Sequence, residues 1–360
     1  MGRGRTQQDC GRESTCLSQK RVGLRPSRRC GLARFEMTRS TGGVWWISLA
    51  HPDKPMVPLP TNFADPSVAD LGEEAVVSRL VAMIPPACGV IAGPGDDCAV
   101  VESGSGIWHL LKTDGVVEGV HFLPGTEPVR VGRKAMNRVL SDVAAMGGRP
   151  AHALVTIAVE AGRSFAEVEG WYAGMVAAAE DGGCCIVGGE TSRLPVTGAM
   201  ITVAMTGTVD PAHCVFRSGA KPGDLIAVTG KLGGSFPSGR HLTFAPRLRE
   251  SQWLVAHAKP SAMMDLSDGL GSDLPRLVAA SGVGFRIDEA SLPCHDGVST
   301  EDAVRDGEDY ELLMTFPPDT FRDLPAKWGD VFPDLALTVI GEITGSMTDS
   351  IVRGWEHYRN

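Results

Sequence analysis

The chain has 360 residues, a formal net charge of −9 and a hydrophobic fraction of 43%. This length provides for two domains with cores of their own, and the acidic balance argues against nucleic-acid binding by the chain as a whole. No run approaches the ~20 apolar residues of a membrane-spanning helix, so no membrane partner is expected. The nine cysteines include no CxxC pair, which favours free thiols in a reducing, cytoplasmic location.

Residues 1–65 differ in composition from the rest of the chain. Residues 1–39 carry ten Arg and Lys against three acidic residues, and a Pro-rich stretch follows at 51–60. Without apolar periodicity, this segment is predicted to be a basic, disordered extension. Three origins stay open: an upstream start codon with Met37 or Met56 as the native start, a basic tail that binds a partner, or an Arg-rich transit peptide.

The next segments predict a domain of mixed strands and helices over residues 66–212. Residues 71–86 have apolar residues at helical spacing, acids near the start and a Pro pair at the end, which predicts a helix. Short apolar, β-branched runs then predict strands, and two longer segments that end in Gly predict helices. The strand runs are CAVV, IWHLLKT, HALVTIAV, CCIVGG and AMITVAMTGTV, and the helical segments are VRVGRKAMNRVLSDVAAMG and AEVEGWYAGMVAAAEDGG.

A second domain is predicted over residues 213–360. It opens on the turn cluster SGAKPGD at residues 218–224. Further strands are predicted at DLIAVTG, GFRID, YELLMTF and LALTVIGEITG, with a helix around LGSDLPRLVAASG. The residues alone therefore indicate a mixed α/β protein of two domains.

Acidic residues recur where apolar runs end, which is where strand ends and helix starts build sites. The motifs are GDD at 95–97, TD at 113–114, SD at 141–142, GGET at 188–191 and DLSDG at 265–269. Mg²⁺ prefers oxygen ligands and usually bridges a few carboxylates to substrate phosphates. Metal ions also neutralise the charge of two phosphorylated molecules and align their reacting oxygens. With no GxxxxGK[ST] loop and no kinase HRD or DFG set, the pattern favours another kind of magnesium-dependent phosphoryl transfer.

Taken in order, these motifs resemble the thiamine-monophosphate kinases, within the superfamily of aminoimidazole ribonucleotide synthetase. The resemblance runs from about Leu71 to the C-terminus. It is carried by GDDCAVV, KTDGVVEGVHFLP, LSDVAAMGGRPAHALV, VGGETSR, FRSGAKPGDLIAVTG, MMDLSDGLGSDL and DGEDYELLMTF. It implies a two-domain α/β fold with an N-terminal sheet that pairs with its copy in a homodimer, a C-terminal α/β sandwich, and ATP between the domains.

The resemblance also implies roles for individual residues. Several Mg²⁺ ions would be held by Asp97, Thr113, Asp114, Asp142, Glu190, Asp265 and Asp268, of which Asp114, Asp142 and Asp268 would be catalytic. ATP would be bound by Gly189, Glu190, Arg217 and Ser267. Thiamine monophosphate would contact His121, Glu308 and Trp355. The alternatives are a core histidine for His121 and a packing anchor for Trp355, which would otherwise stack on the thiamine ring.

The implied reaction needs no strong base, because the acceptor is an ionised phosphate. An oxygen of thiamine monophosphate would attack the γ-phosphorus of ATP in line, giving thiamine diphosphate and ADP without a covalent phosphoenzyme. The chain departs from the family pattern at four places: Lys112 replaces a small hydroxyl residue, Val139 an Asn and Glu190 an Asp, and the stretch 234–239 is short. Two alternatives therefore stay open, namely a superfamily enzyme with another acceptor and a non-catalytic nucleotide-binding homologue, which Lys112 favours.

Overall fold

The computed structural model describes the backbone of residues 35–39 and 45–49, and then residues 66–104, 106–346, 351 and 353–358. The chain divides into two compact units, Met1–Ala64 and Asp65–Asn360. In the first unit, strand β1 (Phe35–Arg39) pairs antiparallel with β2 (Trp45–Leu49). These two strands were not predicted, because the segment has no apolar periodicity and was expected to be disordered. The remainder of the expected disordered extension, including Met56, lies outside the described residues.

The second unit begins with two short helices where one was predicted over residues 71–86. These are α1 (Val68–Leu71) and α2 (Glu73–Val81). Gly72 separates them because its φ of +76° is a backbone conformation that favours glycine and ends a right-handed helix. The helix α2 also ends before the Pro pair, since the residue before a proline disfavours helical geometry.

A six-stranded sheet follows, in the order β3-β4-β5-β8-β6-β7. Neighbouring strands are antiparallel except β6 and β7, which are parallel. The strands are β3 (Val90–Ala92), β4 (Ala99–Glu102), β5 (Trp108–Val117), β6 (Arg149–Val159), β7 (Cys185–Arg193) and β8 (Ala199–Val209).

One face of this sheet is covered by α3 (Pro128–Ala145) and α4 (Phe165–Gly182). Side chains alternate between the two faces of a strand, so Leu110 and Ile201 are buried under the helices while their neighbours Leu111 and Met200 are exposed on the other face. Leu154, at the middle of β6, is 51% exposed on that same outer face. Within the described residues, no helix covers the outer face.

A second, five-stranded antiparallel sheet has the order β10-β12-β9-β13-β11. Successive residues of its strands belong to two cores: Ile226 and Val228 pack with α7 (Leu270–Ser281), and Ala227 between them packs with α6 (Leu248–His257). Burial on both faces explains why these strands read as continuous apolar runs. They are β9 (Leu225–Thr229), β10 (Ala262–Asp265), β11 (Gly284–Ile287), β12 (Leu312–Phe316) and β13 (Leu337–Thr344).

The remaining helices are short: α5 (Ser235–Ser238), α8 (Thr300–Arg305), α9 (Pro318–Phe321) and α10 (Leu324–Val331). Single 3₁₀ turns lie at Arg240–Leu242 and Glu289–Ser291. Among the helices of the described residues, none is long and apolar enough to cross a membrane. The helix α3 contacts β5 and β8 of the six-stranded sheet and β10 of the five-stranded sheet. Residues on α3 therefore lie at the junction of the two sheets.

Candidate active site

Three buried carboxylates meet at this junction. Asp97 precedes β4, Asp142 lies on α3 and Asp265 ends β10, and each offers an oxygen within 4.8 Å of the others. The Ser141 hydroxyl donates a hydrogen bond of 2.5 Å to Asp265. Burial and the charge of Asp97 nevertheless raise the pKa of Asp265 to about 7. The cluster is therefore short of positive charge.

The residues of this cluster fit a magnesium ion. One oxygen of Asp97, Oδ2, is buried and has no hydrogen-bond partner among the described residues. Leaving a buried carboxylate oxygen without a partner is costly. Three carboxylates form an all-oxygen donor set, which is the kind that Mg²⁺ prefers. Asp97, Asp142 and Asp265 would hold such an ion.

Two cations already contact the cluster. The Lys112 ammonium lies 2.7 Å from Asp142 Oδ1, and the Arg217 guanidinium donates to Asp97 Oδ1. Burial by itself would lower the pKa of Lys112, but the charges of Asp142 and Asp114 outweigh it and raise the pKa. Lys112 is therefore a positively charged group in contact with Asp142, one of the three carboxylates that would hold the metal ion.

Asp114 is paired with Arg138 beside this cluster. The guanidinium makes a bidentate contact, Nε to Oδ2 at 2.8 Å and Nη2 to Oδ1 at 3.2 Å, which is the strong geometry for this pair. Burial would raise the pKa of Asp114, but Arg138 outweighs it and the pKa is lowered. Arg138 Nη1 also lies 3.2 Å from Glu308. Arg138 thus joins the acidic cluster to the cavity that Glu308 lines.

The three residues expected to contact thiamine monophosphate line one cavity of about 550 Å³. His121, Glu308 and Trp355 come from three distant parts of the chain, and Ser267 and Asp268 lie in the same wall. The backbone N–H of Trp355 donates 2.9 Å to the carbonyl of Asp268. The cavity is of the size that holds a small ligand.

The cavity wall is rich in arginine and also includes the short helix α5, which follows β9 of the second sheet. Arg138, Arg305 and Arg353 line it, as do Phe236 and Pro237 of α5. A guanidinium presents several donors in a fixed plane that matches phosphate oxygens. The wall therefore suits a ligand that carries phosphate.

A buried lysine holds Glu308 in place. Lys134 is fully buried, and its ammonium contacts Glu308 Oε2 at 2.7 Å, His241 Nδ1 at 2.8 Å and the carbonyl of His121 at 2.5 Å. Burial lowers the pKa of Lys134 to about 8 despite the nearby Glu308 charge. Burial would raise the pKa of Glu308, but the His241 hydrogen bond and the Lys134 and Arg138 charges lower it to about 2. Glu308 is therefore a fixed anion in the cavity wall.

His121 is a neutral hydrogen-bond donor at the cavity. Its Nδ1 accepts from the backbone N–H of Val117 at 3.1 Å, so the ring proton lies on Nε2. Burial and the Arg138 charge lower the pKa of His121 to about 4. Its Nε2–H is therefore available to a ligand at neutral pH.

Two expected metal ligands lie on the outer face of the six-stranded sheet. Thr113 alternates with Lys112 and Asp114 along β5, so its side chain points away from α3 and is exposed. Glu190 is also exposed, and its neighbour Ser192 donates to it at 3.3 Å. Since β8 and β6 lie between β5 and β7, Thr113 and Glu190 are separated by about 14 Å, three strand spacings. The structure does not bring them to the carboxylate cluster.

Asp268 and Gly189 have structural partners of their own. Asp268 pairs with Arg276 at 2.5 Å and lines the cavity rather than the three-carboxylate cluster. A Cβ on Gly189 would lie 1.8 Å from the carbonyl oxygen of Val155. Strand packing therefore requires glycine there, whatever else it contacts.

Sequence reasoning missed Lys134 and Arg138. A signal was present, because Lys134, Arg138 and Asp142 recur every four residues and so share one face of α3. All three are mostly or fully buried. A charged stripe on a buried helix face indicates a site.

Two family models match most of the second unit of the chain. Residues 95–209 match the model of the AIR synthase related protein, N-terminal domain, and residues 221–353 match that of the C-terminal domain. The chain is thus an AIR synthase related protein, with the fold of that family.

Similar proteins narrow the family further. The thiamine-monophosphate kinase of Salmonella typhimurium is 35% identical over 257 residues, which cover 63% of this chain and 77% of that protein. That of Escherichia coli K12 is 34% identical over 283 residues, which cover 71% and 85%. The structure of AaThiL complexed with AMPPCP and TMP has a TM-score of 0.69 at 31% identity and covers 80% of this chain and 97% of that one. The chain belongs to the thiamine-monophosphate kinase family, which confirms the resemblance and the two-domain α/β fold.

Proposed function

We propose that this chain catalyses ATP-dependent phosphorylation of thiamine monophosphate to thiamine diphosphate. The observation that carries the proposal is the cavity lined by His121, Glu308 and Trp355, which Arg138 connects to Asp114 beside the carboxylate cluster. The kinases to which the chain is similar support it. So does the similar structure that binds TMP together with AMPPCP, an ATP analogue.

The cavity suits both ends of thiamine monophosphate. The thiazolium ring is a cation, which an ionised Glu308 attracts and the face of Trp355 can stack on. The phosphate end would be bound by Arg305 and Arg353, which line the same cavity. The Nε2–H of His121 would add one directed donor.

Transfer requires the phosphate oxygen to attack the γ-phosphorus in line. Arg217 and Ser267 would bind ATP on the side of the carboxylate cluster, so that the acceptor meets ATP near Arg138. Because the acceptor is already ionised, these residues act by positioning and by fixed charge. When bound to Asp97, Asp142 and Asp265, Mg²⁺ supplies charge neutralisation and alignment.

We further infer a homodimer in which the six-stranded sheets of two copies of the chain pack through their outer faces. The exposed apolar side chains of Leu111, Leu154 and Met200 support it. Thr113 and Glu190 lie on this outer face, away from Asp97, Asp142 and Asp265. A metal ion bound by Thr113 or Glu190 would therefore need other ligands than these three carboxylates. Several expectations stay predictions. They are the metal contacts of Thr113 and Glu190, metal binding by Asp268, the domain limits 66–212 and 213–360, and a cytoplasmic location.

The test is to incubate the full chain with MgATP and thiamine monophosphate and to measure thiamine diphosphate directly. Asp142→Asn should lower the rate by about 100-fold or more, since it removes a charge at the reacting phosphates. Asp181→Asn is the matched control, because Asp181 is a surface residue paired with Arg133, and its rate should equal that of wild type.

Other results would identify the alternatives. ATP hydrolysis without thiamine diphosphate would indicate a different acceptor. ATP binding without any turnover would indicate the non-catalytic homologue, which the contact between Lys112 and Asp142 favours.

A further inference from the structure

The Lys112 ammonium lies against one member of the carboxylate cluster, Asp142. Lys112 occupies the inward face of β5, a strand hydrogen-bonded on both sides by β4 and β8. Its contact with Asp142 is 2.7 Å, and the side chain of Asp142 is only 8% exposed. Because β5 is a central strand, its backbone holds the Lys112 side chain on the side of the sheet that faces the cluster.

The charges of the site are nearly balanced without any added ion. Four carboxylates can be matched with four cations, in the pairs Asp97 with Arg217, Asp114 with Arg138, Asp142 with Lys112 and Glu308 with Lys134, although Arg138 also contacts Glu308. Asp265 is the fifth, and within the described residues it accepts a hydrogen bond from the hydroxyl of Ser141. One negative charge is therefore left over in this network.

The remaining donors define where an added ion fits. The oxygen Oδ2 of Asp97 is buried and has no hydrogen-bond partner among the described residues, and Asp97 and Asp265 each offer a carboxylate oxygen within 4.8 Å of the other. The Lys112 ammonium would repel a cation held by Asp142 and so weaken the contribution of that carboxylate to the ion. The open side of the cluster is thus between Asp97 and Asp265.

We propose that Lys112 is a tethered counter-ion that neutralises Asp142 and so reduces by one the number of divalent ions that bind before nucleotide arrives. An ammonium fixed to a strand is not lost by dilution, whereas a metal ion is. The inference uses the metal site of the proposed function, but it is tested without either substrate. Its failure is therefore separate from failure of the kinase assay.

The experiment counts Mn²⁺ ions on the full chain without nucleotide, by equilibrium dialysis and by the electron paramagnetic resonance signal of free Mn²⁺. Lys112→Ser and Lys112→Gln both remove the charge, and each should bind one more Mn²⁺ per chain than wild type. Lys112→Arg keeps the charge and should keep the wild-type count. Lys231→Met is a second control, since Lys231 forms a surface pair with Asp296 at 2.9 Å, and its count should not change.

Thermal unfolding in EDTA and in Mn²⁺ provides a second readout. The Ser and Gln variants lack the counter-ion, so they should unfold at lower temperature in EDTA, and Mn²⁺ should raise their unfolding temperature more than that of wild type. If the Ser and Gln variants bind the same number of Mn²⁺ ions as wild type, the proposal is overturned, even if they bind Mn²⁺ more tightly. In that case the ion would displace the Lys112 ammonium in wild type rather than be replaced by it. A variant that stays unfolded in saturating Mn²⁺ would overturn it as well.

Discussion

The imidazole of His121 is held neutral by what surrounds it. Burial is the larger cause of its lowered pKa, and the positive charges of Arg138, Lys134 and His357 add to it, while Glu308 opposes them. The folded pKa is about 4, against 6.5 for the free side chain. Between these values the unfolded chain binds the proton and the folded chain does not, so stability is fully present above pH ~6.5 and falls as the pH falls towards ~4.

The pH dependence of the free energy of unfolding should therefore differ between wild type and His121→Asn. In this variant the amide oxygen can still accept the hydrogen bond from the Val117 N–H. From pH 7 to pH 5, the free energy of unfolding of wild type should fall by about 2 kcal/mol more than that of the variant. Urea unfolding at the two pH values measures it. Equal losses in both proteins would show that His121 does not take up a proton on unfolding.

At the scale of the element, the helix α3 determines the geometry of the site because it carries Lys134, Arg138 and Asp142. It packs closely on α4 through two glycines. A Cβ on Gly132 would lie 1.9 Å from the carbonyl oxygen of Trp171, and one on Gly174 would lie 2.0 Å from that of Val129. Both contacts are with backbone, so neither can be relieved by a side-chain rotation.

Gly174→Ala should therefore force the two helices apart. We expect it to lower the free energy of unfolding by at least about 2 kcal/mol, as for overpacked cores. The matched control is Gly329→Ala in α10, where a Cβ would meet nothing within 4 Å, and which should be neutral or stabilising by up to about 1 kcal/mol. Chemical denaturation measures both, and a Gly174 variant as stable as the control would contradict close helix packing.

At the scale of the whole molecule, one face of the six-stranded sheet is not covered by any helix in the part of the chain that the structure describes. Leu154 lies on a strand with neighbours on both sides, β8 and β7, and is 51% exposed. If two copies pair through this face, Leu154 is buried in the dimer. A charge placed there would be removed from water without a partner, which is strongly unfavourable.

Sedimentation analysis should therefore find a dimer for wild type and a monomer for Leu154→Lys. Val331→Lys provides the control, because Val331 on α10 has a similar exposure of 45% and lies outside this sheet. A monomeric wild type, or a dimer that survives Leu154→Lys, would contradict the proposed interface.

The sequence by itself determined the features that depend on neighbours along the chain. The apolar runs predicted β5, β6, β8 and β12, and glycine after a helical segment predicted the end of α4, because strand and helix patterns are local. The ordered acidic motifs identified the family. The VEGVHF and GEDYEL segments also identified His121 and Glu308 as residues of one pocket, in which the structure places them together with Trp355.

Only the tertiary structure decided which of the acidic motifs meet. Asp97, Asp142 and Asp265 converge because α3 packs between β5 and β10, whereas Thr113 and Glu190 face away because side chains alternate along a strand. The same packing brings Lys112 to Asp142 and Arg138 to both Asp114 and Glu308. Distances between residues far apart in the chain depend on how helices and sheets pack, and no local pattern contains that information.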